Sequence, residues 1–237
     1  MLIWTPDTVR FQKDAAEYGS YHQTLAAHIA AYLPPAAQVC DAGCGLGYLS
    51  RALALHCARV TAIDREPLAL DVLRVQTPPN VEVCEDDIFA LPDTQHYDAM
   101  VFCFFGSMEE TLLLAGKHCR GKVIVIKRGW SHHRFSFREE PLQKYTSDET
   151  EQFLRKRGIP FTREDLTLDM GQPFRSEHDA VRFFEVYGRR NGQPAIFFEN
   201  IEGRLQKTGS PAFPYYLPQE KPLGIFVFDA ADIPRPN

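Results

Sequence analysis

Residues 39–47 read Val-Cys-Asp-Ala-Gly-Cys-Gly-Leu-Gly, and the fold is read outward from them. An acidic residue, Asp41, stands two positions before a Gly-x-Gly-x-Gly run, Gly43, Gly45 and Gly47. The apolar residues before the run read as a strand and those from Tyr48 as a helix. A glycine-rich strand-to-helix turn lets a ligand come close to the backbone, because no Cβ stands in the way. The leading carboxylate repels a pyrophosphate and suits a ligand that presents an ammonium or hydroxyl. The dinucleotide fingerprint G-x-G-x-x-G needs its third glycine one residue later than Gly47.

The same alternation continues downstream. Strands are expected over 38–41, 59–63, 81–84, 97–103, 122–127 and 161–168. Helices are expected over 49–57, 67–76, 107–118 and 146–157. Pro67 suits a first helical turn, and Ser107 with Glu110, three residues on, reads as a capping box. The run 97–103 is almost continuously apolar, as in a strand buried on both faces. Strand and helix in alternation with short loops predict an α/β fold: a doubly wound, mostly parallel sheet with helices on both faces. Ligands of such sheets bind beyond the carboxyl ends of the strands. Asp41, Asp64, Asp87 and Phe104 all fall just past predicted strand ends.

Two segments stand outside this alternation. Residues 8–33 read as one or two helices stopped by Pro34-Pro35, so 1–35 is expected to be an N-terminal helical cover. Residues 171–222 read as an insertion before a last, antiparallel strand over 224–228, with a helix over 176–187 and a second short helix over 201–207. The sheet core is then 36–170 and 223–237, and the insertion is a lid, an acceptor pocket or a dimer surface.

The motifs resemble those of class I, Rossmann-like S-adenosylmethionine-dependent methyltransferases. The resemblance covers residues 35–130 by motif and the remainder by layout. It implies a seven-stranded sheet, and that Asp41, Gly43, Gly45 and Gly47 hold the methionine end of S-adenosylmethionine, which leaves as S-adenosylhomocysteine. Asp64 ends the second strand, where a carboxylate takes both ribose hydroxyls. Glu85-Asp86-Asp87-Ile88 with Leu91-Pro92 matches the adenine motif. Aligned on Leu91-Pro92, Asp87 accepts from the adenine amine and Ile88 offers its amide. A glycine usually precedes that aspartate and here it is Asp86, so both aspartates stay open for the role. Arg65, Phe102, Phe104 and Tyr21 are placed beside the cofactor as well.

Methyl transfer needs a base only where the acceptor must lose a proton early. His132 and His133, after the fifth strand, and His22 are the candidates. The strand exit Phe102-Cys103-Phe104-Phe105 lacks the Asn-Pro-Pro-Tyr-type sequence of amino methylases on bases, which argues against a base-flipping enzyme. Trp4, Phe11, Tyr18 and Tyr21 make an aromatic N-terminal segment suited to cover a sulfonium. Trp130, Phe135, Phe174, Phe183, Phe184, Tyr187, Tyr215 and Tyr216 are candidates for an acceptor wall.

Composition narrows the partners. The 237 residues carry a net charge of −5, with 44% hydrophobic and 24% charged residues. That balance disfavours bulk nucleic-acid binding. Six cysteines without a C-x-x-C read as reduced thiols in a cytoplasmic protein, and no metal site is expected. Neither a signal peptide nor a membrane-spanning run is expected. The expected partner is a small-molecule acceptor, with a homodimer open. Two further readings compete: an NAD(P)-dependent oxidoreductase on a similar fold, and a non-catalytic nucleotide-binding assembly protein built around the insertion.

Overall fold

The computed structural model describes residues 3–129, 145–188 and 195–234. Helices α1 (Pro6–Tyr18) and α2 (Tyr21–Ala30) precede the sheet. The chain then alternates β1 (Gln38–Ala42), α3 (Tyr48–Leu53), β2 (Arg59–Asp64), α4 (Pro67–Val75) and β3 (Val81–Glu85). It continues through β4 (Tyr97–Cys103), α5 (Met108–His118), β5 (Cys119–Arg128), α6 (Ser147–Lys156) and β6 (Thr162–Asp169). An insertion carries β7 (Gln172–Phe174), α7 (Glu177–Gly188), β8 (Gln206–Lys207) and β9 (Tyr215–Leu217). The last strand, β10 (Glu220–Asp229), returns to the main sheet.

The seven-stranded sheet runs in the order β3-β2-β1-β4-β5-β10-β6. Its β3, β2, β1, β4 and β5 pair in parallel, while β10 is antiparallel to both β5 and β6. Both faces are covered, which is why the central strands are apolar without alternation. One face buries Val39, Val101 and Ile126 under Leu25 and Ile29 of α2 and Leu53 of α3. The other buries Cys40, Phe102 and Val125 under Leu112 and Ala115 of α5 and Leu154 of α6. The order reverses between β1 and β4, so the ends of β1, β2 and β4 flank one crevice.

Local chemistry fixes the element ends. The Ser107 N–H donates to Glu110 Oε2 at 2.7 Å, and the Glu110 N–H to Ser107 Oγ at 3.2 Å, so the predicted capping box closes α5. Thr146 and Glu149 do the same for α6. Ser176 accepts from the Asp179 N–H at 3.1 Å, but the Asp179 carboxylate reaches back to the Arg175 N–H instead of completing the box.

Four sequence expectations change, the first being that α3 ends at Leu53, short of 57. β5 begins at Cys119, earlier than 122, and β10 at Glu220, earlier than 224. Gly121 permits the first extension, since a Cβ there would stand 2.3 Å from the Asp98 carbonyl oxygen. The helix expected over 201–207 is replaced by short 3₁₀ turns at Phe198–Asn200 and Glu202–Arg204, followed by β8. Gly203 weakens a helix there, and Asn200 Oδ1 takes the Phe197 N–H at 2.8 Å.

The insertion has its own core, and α1 belongs to it. Phe11 of α1 meets Phe183 of α7 edge-to-face, with centroids 5.1 Å apart, and Phe174 of β7 meets Phe183 at 5.3 Å. Phe11, Phe174, Phe183 and Phe184 are fully or almost fully buried. Phe174, Phe183 and Phe184, candidates for an acceptor wall, are therefore turned into this core. Asp14 and Arg175 form a doubly hydrogen-bonded pair across the same seam, and Arg10 bonds Asp179 at 2.6 Å. Helix α2, by contrast, packs on the main sheet and is pinned there by His28 and Tyr32, which both bond Glu164 of β6.

Candidate functional site

The turn between β1 and α3 is made by residues that only glycine can supply easily. Gly43, Gly45 and Gly47 have φ of +71°, +54° and +73°. That region costs a residue with a Cβ roughly 1–2 kcal/mol. The Gly43 and Cys44 amides both donate to the Ile63 carbonyl, at 2.9 and 3.0 Å, which ties the loop to the end of β2. The predicted strand–turn–helix is present, and all three glycines are required by backbone conformation.

Two carboxylates flank this loop. Asp64, at the end of β2, accepts from the Gly45 N–H at 2.8 Å through Oδ2 and from the Glu66 N–H at 3.1 Å through Oδ1. Its side chain is thereby held at the mouth of the loop, with acceptor capacity left over on both oxygens. Asp41 is buried and accepts from Ser50 Oγ of α3 at 2.5 Å. Burial pushes its pKa up to about 6, the Ser50 hydroxyl opposes that shift, and the Asp64 charge adds to it. A buried carboxylate near its titration point favours a cationic ligand that restores its charge.

At the end of β3 the acidic turn is ordered by its own backbone. Asp86 Oδ1 accepts from the Asp87 N–H at 2.8 Å, and Asp87 Oδ1 from the Phe89 N–H at 3.0 Å. Asp87 thus caps the 3₁₀ turn Ile88–Ala90, in which Ile88 is buried and Asp87 exposed. The Asp86 N–H donates to the Asp64 carbonyl, so the β2 and β3 ends are joined.

The exit of β4 closes the opposite side. Phe102 is fully buried in the core and offers the crevice no side chain. Phe104 is half exposed, with φ of +53°, a conformation uncommon for an aromatic residue. Its strain is met by Lys127, fully buried at the end of β5. The Lys127 ammonium donates to the carbonyls of Phe105 and Gly106 at 2.5 and 2.8 Å. Burial lowers its pKa to about 8. The loop so held carries Phe105, whose ring lies 2.9 Å from where a Cβ on Gly43 would stand. From the other side the Trp4 ring comes within 3.1 Å of the corresponding position on Gly45. The glycine loop is therefore walled by two rings as well as two carboxylates.

Tyr21 is buried at the start of α2, while Arg65 lies 4.0 Å from Glu66 next to the site. His22 is a poor base near neutrality, since burial, then the nearby Lys221 charge, lowers its pKa to about 3. His132, His133, Trp130 and Phe135 lie outside the described residues. Sequence reasoning missed Ser50, Lys127 and Lys221. Ser50 lies one helical turn past the glycine run, which is a readable signal, whereas the lysines had none beyond sitting at strand ends.

Comparison with known proteins agrees with this geometry. Residues 39–115 match the methyltransferase domain family. No curated protein matches the chain significantly. Among solved structures, one described as a candidate type II methyltransferase from Anaeromyxobacter dehalogenans superposes with a TM-score of 0.55 at 18% identity, over 89% of this chain and 97% of that one. A candidate methyltransferase from Bacillus halodurans gives 0.51 at 12% identity, over 88% and 98%. At such identities the likeness speaks to the fold, and the matched domain speaks to the chemistry. Residues 39–115 thus match a methyltransferase domain, and the chain around them has the fold of the solved methyltransferases on which it superposes.

Proposed function

We propose that the chain transfers a methyl group from S-adenosylmethionine to a small-molecule acceptor. The observation that carries this reading is the three left-handed glycines set between Asp41 and Asp64. The cradle fits the cofactor's chemistry: a loop whose three glycines carry no Cβ, a buried carboxylate for an ammonium and a β2-terminal carboxylate for ribose hydroxyls. When bound, the cofactor would supply a methyl carbon on a positively charged sulfur, open to in-line attack by an acceptor lone pair with the neutral thioether as leaving group. The protein's part is orientation and exclusion of water, which together account for much of such a rate. In this reading Asp41 and the glycines hold the amino-acid half, Asp64 the ribose, and Asp87 with Ile88 the adenine. Trp4 and Phe105 close the loop from either side.

The nicotinamide reading is disfavoured by the same loop. Its Gly45 N–H points to the Asp64 carboxylate, where a diphosphate needs free amides, and two carboxylates oppose a dianion there. A cleft of about 770 Å³ lies between α1, α4 and the insertion, lined by Tyr18, Leu68, Val72, Arg175 and Phe213. All six cysteines are free, which supports a reducing, cytoplasmic setting. Among the described residues no helix is long and apolar enough to cross a membrane.

Asp41 gives this reading a pH signature. Its carboxyl is harder to ionise in the ligand-free fold than in the unfolded chain, so its contribution to stability is present at low pH and is lost as pH rises through about 6. An ammonium ligand needs the ionised form. Affinity for S-adenosylhomocysteine is expected to rise from about pH 5 to about pH 7 and then level off, while Asp41→Asn flattens the rise. Calorimetry at several pH values reads this directly, and a flat wild-type profile would detach Asp41 from the ammonium.

Activity is tested with methyl-labelled cofactor and a cell extract. Label is expected in the low-molecular-weight fraction and to resist nuclease and protease treatment. Label confined to protein or RNA would replace the small-molecule acceptor with a macromolecular one.

A further inference from the structure

The backbone turns left-handed at three described residues other than glycine: Ala36, Phe104 and Tyr145, with φ of +55°, +53° and +66°. Phe104 and Tyr145 are bulky, about half exposed, and stand beside one buried side chain, Lys127. The Lys127 ammonium donates to the carbonyls of Phe105 and Gly106 and lies 5.7 Å from the Tyr145 ring centroid. Left-handed backbone on a bulky residue persists only where its surroundings over-determine it, and such strain collects at ligand sites. An ammonium held out of water is costly as well. Both costs fall at the ends of β4 and β5, the edge of the sheet where ligands of such folds bind.

The loop 104–106 is anchored at both ends and in the middle. Before it, the Phe104 N–H donates to the Ile126 carbonyl at 3.0 Å. After it, Ser107 and Glu110 close their capping box. Lys127 holds the two carbonyls between. The anchored loop presents the Phe105 ring, whose centroid lies 5.5 Å from that of Phe102 and 6.4 Å from that of Phe89. Phe89 belongs to the turn that Asp87 caps after β3, and the same Phe105 ring closes on Gly43 of the glycine loop.

We infer that Lys127 is a positioning residue for the methyl donor: its ammonium fixes the loop 104–106 so that the Phe105 ring braces the glycine loop against the turn after β3. This rests on the methyl-donor reading above, in which those two segments hold the amino-acid half and the adenine. Lys127 is 1% exposed and acts through Phe105. A lysine suits the task because its apolar stem runs through the core while its ammonium, with three donors, serves two carbonyls at once. The charge strengthens both bonds beyond what a neutral donor gives. Burial pulls the ammonium's pKa down, Cys103 and Glu110 oppose that shift and Arg128 adds to it, and at about 8 the group is still mostly charged near neutrality.

The test is a double-mutant cycle read by calorimetry with S-adenosylhomocysteine. Lys127→Met keeps the stem and removes the ammonium, and Phe105→Leu keeps an apolar side chain and removes the ring. Each is expected to weaken binding about fivefold to fiftyfold, and the double variant to bind no more weakly than the worse single, because the lysine works through the ring. Hydrogen exchange on the ligand-free proteins gives an independent readout. Amides 104–107 are expected to exchange faster in Lys127→Met while those of β1, β4 and β5 keep their protection; a lysine that only supports the fold would lower protection across the sheet. Lys127→Gln, whose amide donates without a charge, is expected to fall between wild type and Lys127→Met, and it carries the same cycle if the methionine variant does not fold. Losses that multiply in the double variant, unchanged affinity without the ammonium, or unchanged exchange at 104–107 overturn the inference and leave the methyl-donor reading in place. Wild-type protein that does not bind S-adenosylhomocysteine removes that reading and the inference with it.

Discussion

Gly47→Ala is expected to lower the stability of the fold by about 2–4 kcal/mol, the sum of a left-handed backbone and an overpacked core. Gly47 has φ of +73°, and a Cβ there would stand 2.6 Å from Leu73 Cδ2 and 2.7 Å from its Cδ1. Leu73 is fully buried between α4 and the sheet, so it has nowhere to retreat. The close approach lets α3 and α4 pack side by side directly behind the glycine loop, which links the turn's backbone to the core. Gly158 provides the comparison: its φ is +67°, but no atom lies within 4 Å of the missing Cβ. Gly158→Ala is expected to cost only the conformational part, about 1–2 kcal/mol. Urea unfolding of the two variants measures the difference. Equal losses would show that Leu73 yields and that the contact does not set the position of α3.

Asp64→Ala is expected to weaken S-adenosylhomocysteine by about 1.5–3 kcal/mol, the range for a hydrogen bond to a charged group. The same substitution also releases the Gly45 and Glu66 amides, which lose their acceptor. Asp64→Asn separates the two effects, since its amide oxygen can still receive Gly45 while the charge is gone. Its affinity is expected to fall between wild type and alanine, with the glycine loop as well ordered as in the wild type. Calorimetry on both variants checks this. Unchanged affinity in Asp64→Ala would dissociate the residue from ribose and leave it only the task of capping the loop.

Much of this was readable because the deciding chemistry is local. The glycine spacing demands positive φ, the apolar runs demand burial on two faces, and Ser107 with Glu110 or Thr146 with Glu149 closes a helix end within four residues. The seven-stranded sheet with its antiparallel β10 follows from that alternation. What could not be read depends on partners far apart in the chain. Phe11 finds Phe174 and Phe183 across more than 160 positions, so α1 looked like part of a cover over the cofactor although its apolar face belongs to the insertion. Lys127 ends an apolar run, and nothing local shows that its ammonium will be buried under two carbonyls. The register of β5 depends on a bulge opposite Tyr97 and Ala99 and on the room that Gly121 leaves for the Asp98 carbonyl. The short elements of the insertion follow side-chain caps such as Asn200 rather than any periodic pattern.

The central claim is that a loop guarded by two carboxylates receives a cationic nucleoside and not a diphosphate. Paired calorimetric titrations of the wild-type chain with S-adenosylhomocysteine and with NADH test it most directly. Saturable binding of the first at one site per chain, with no heat from the second, is the expected outcome. Saturable NADH binding alongside silence from S-adenosylhomocysteine at millimolar concentration would contradict the account.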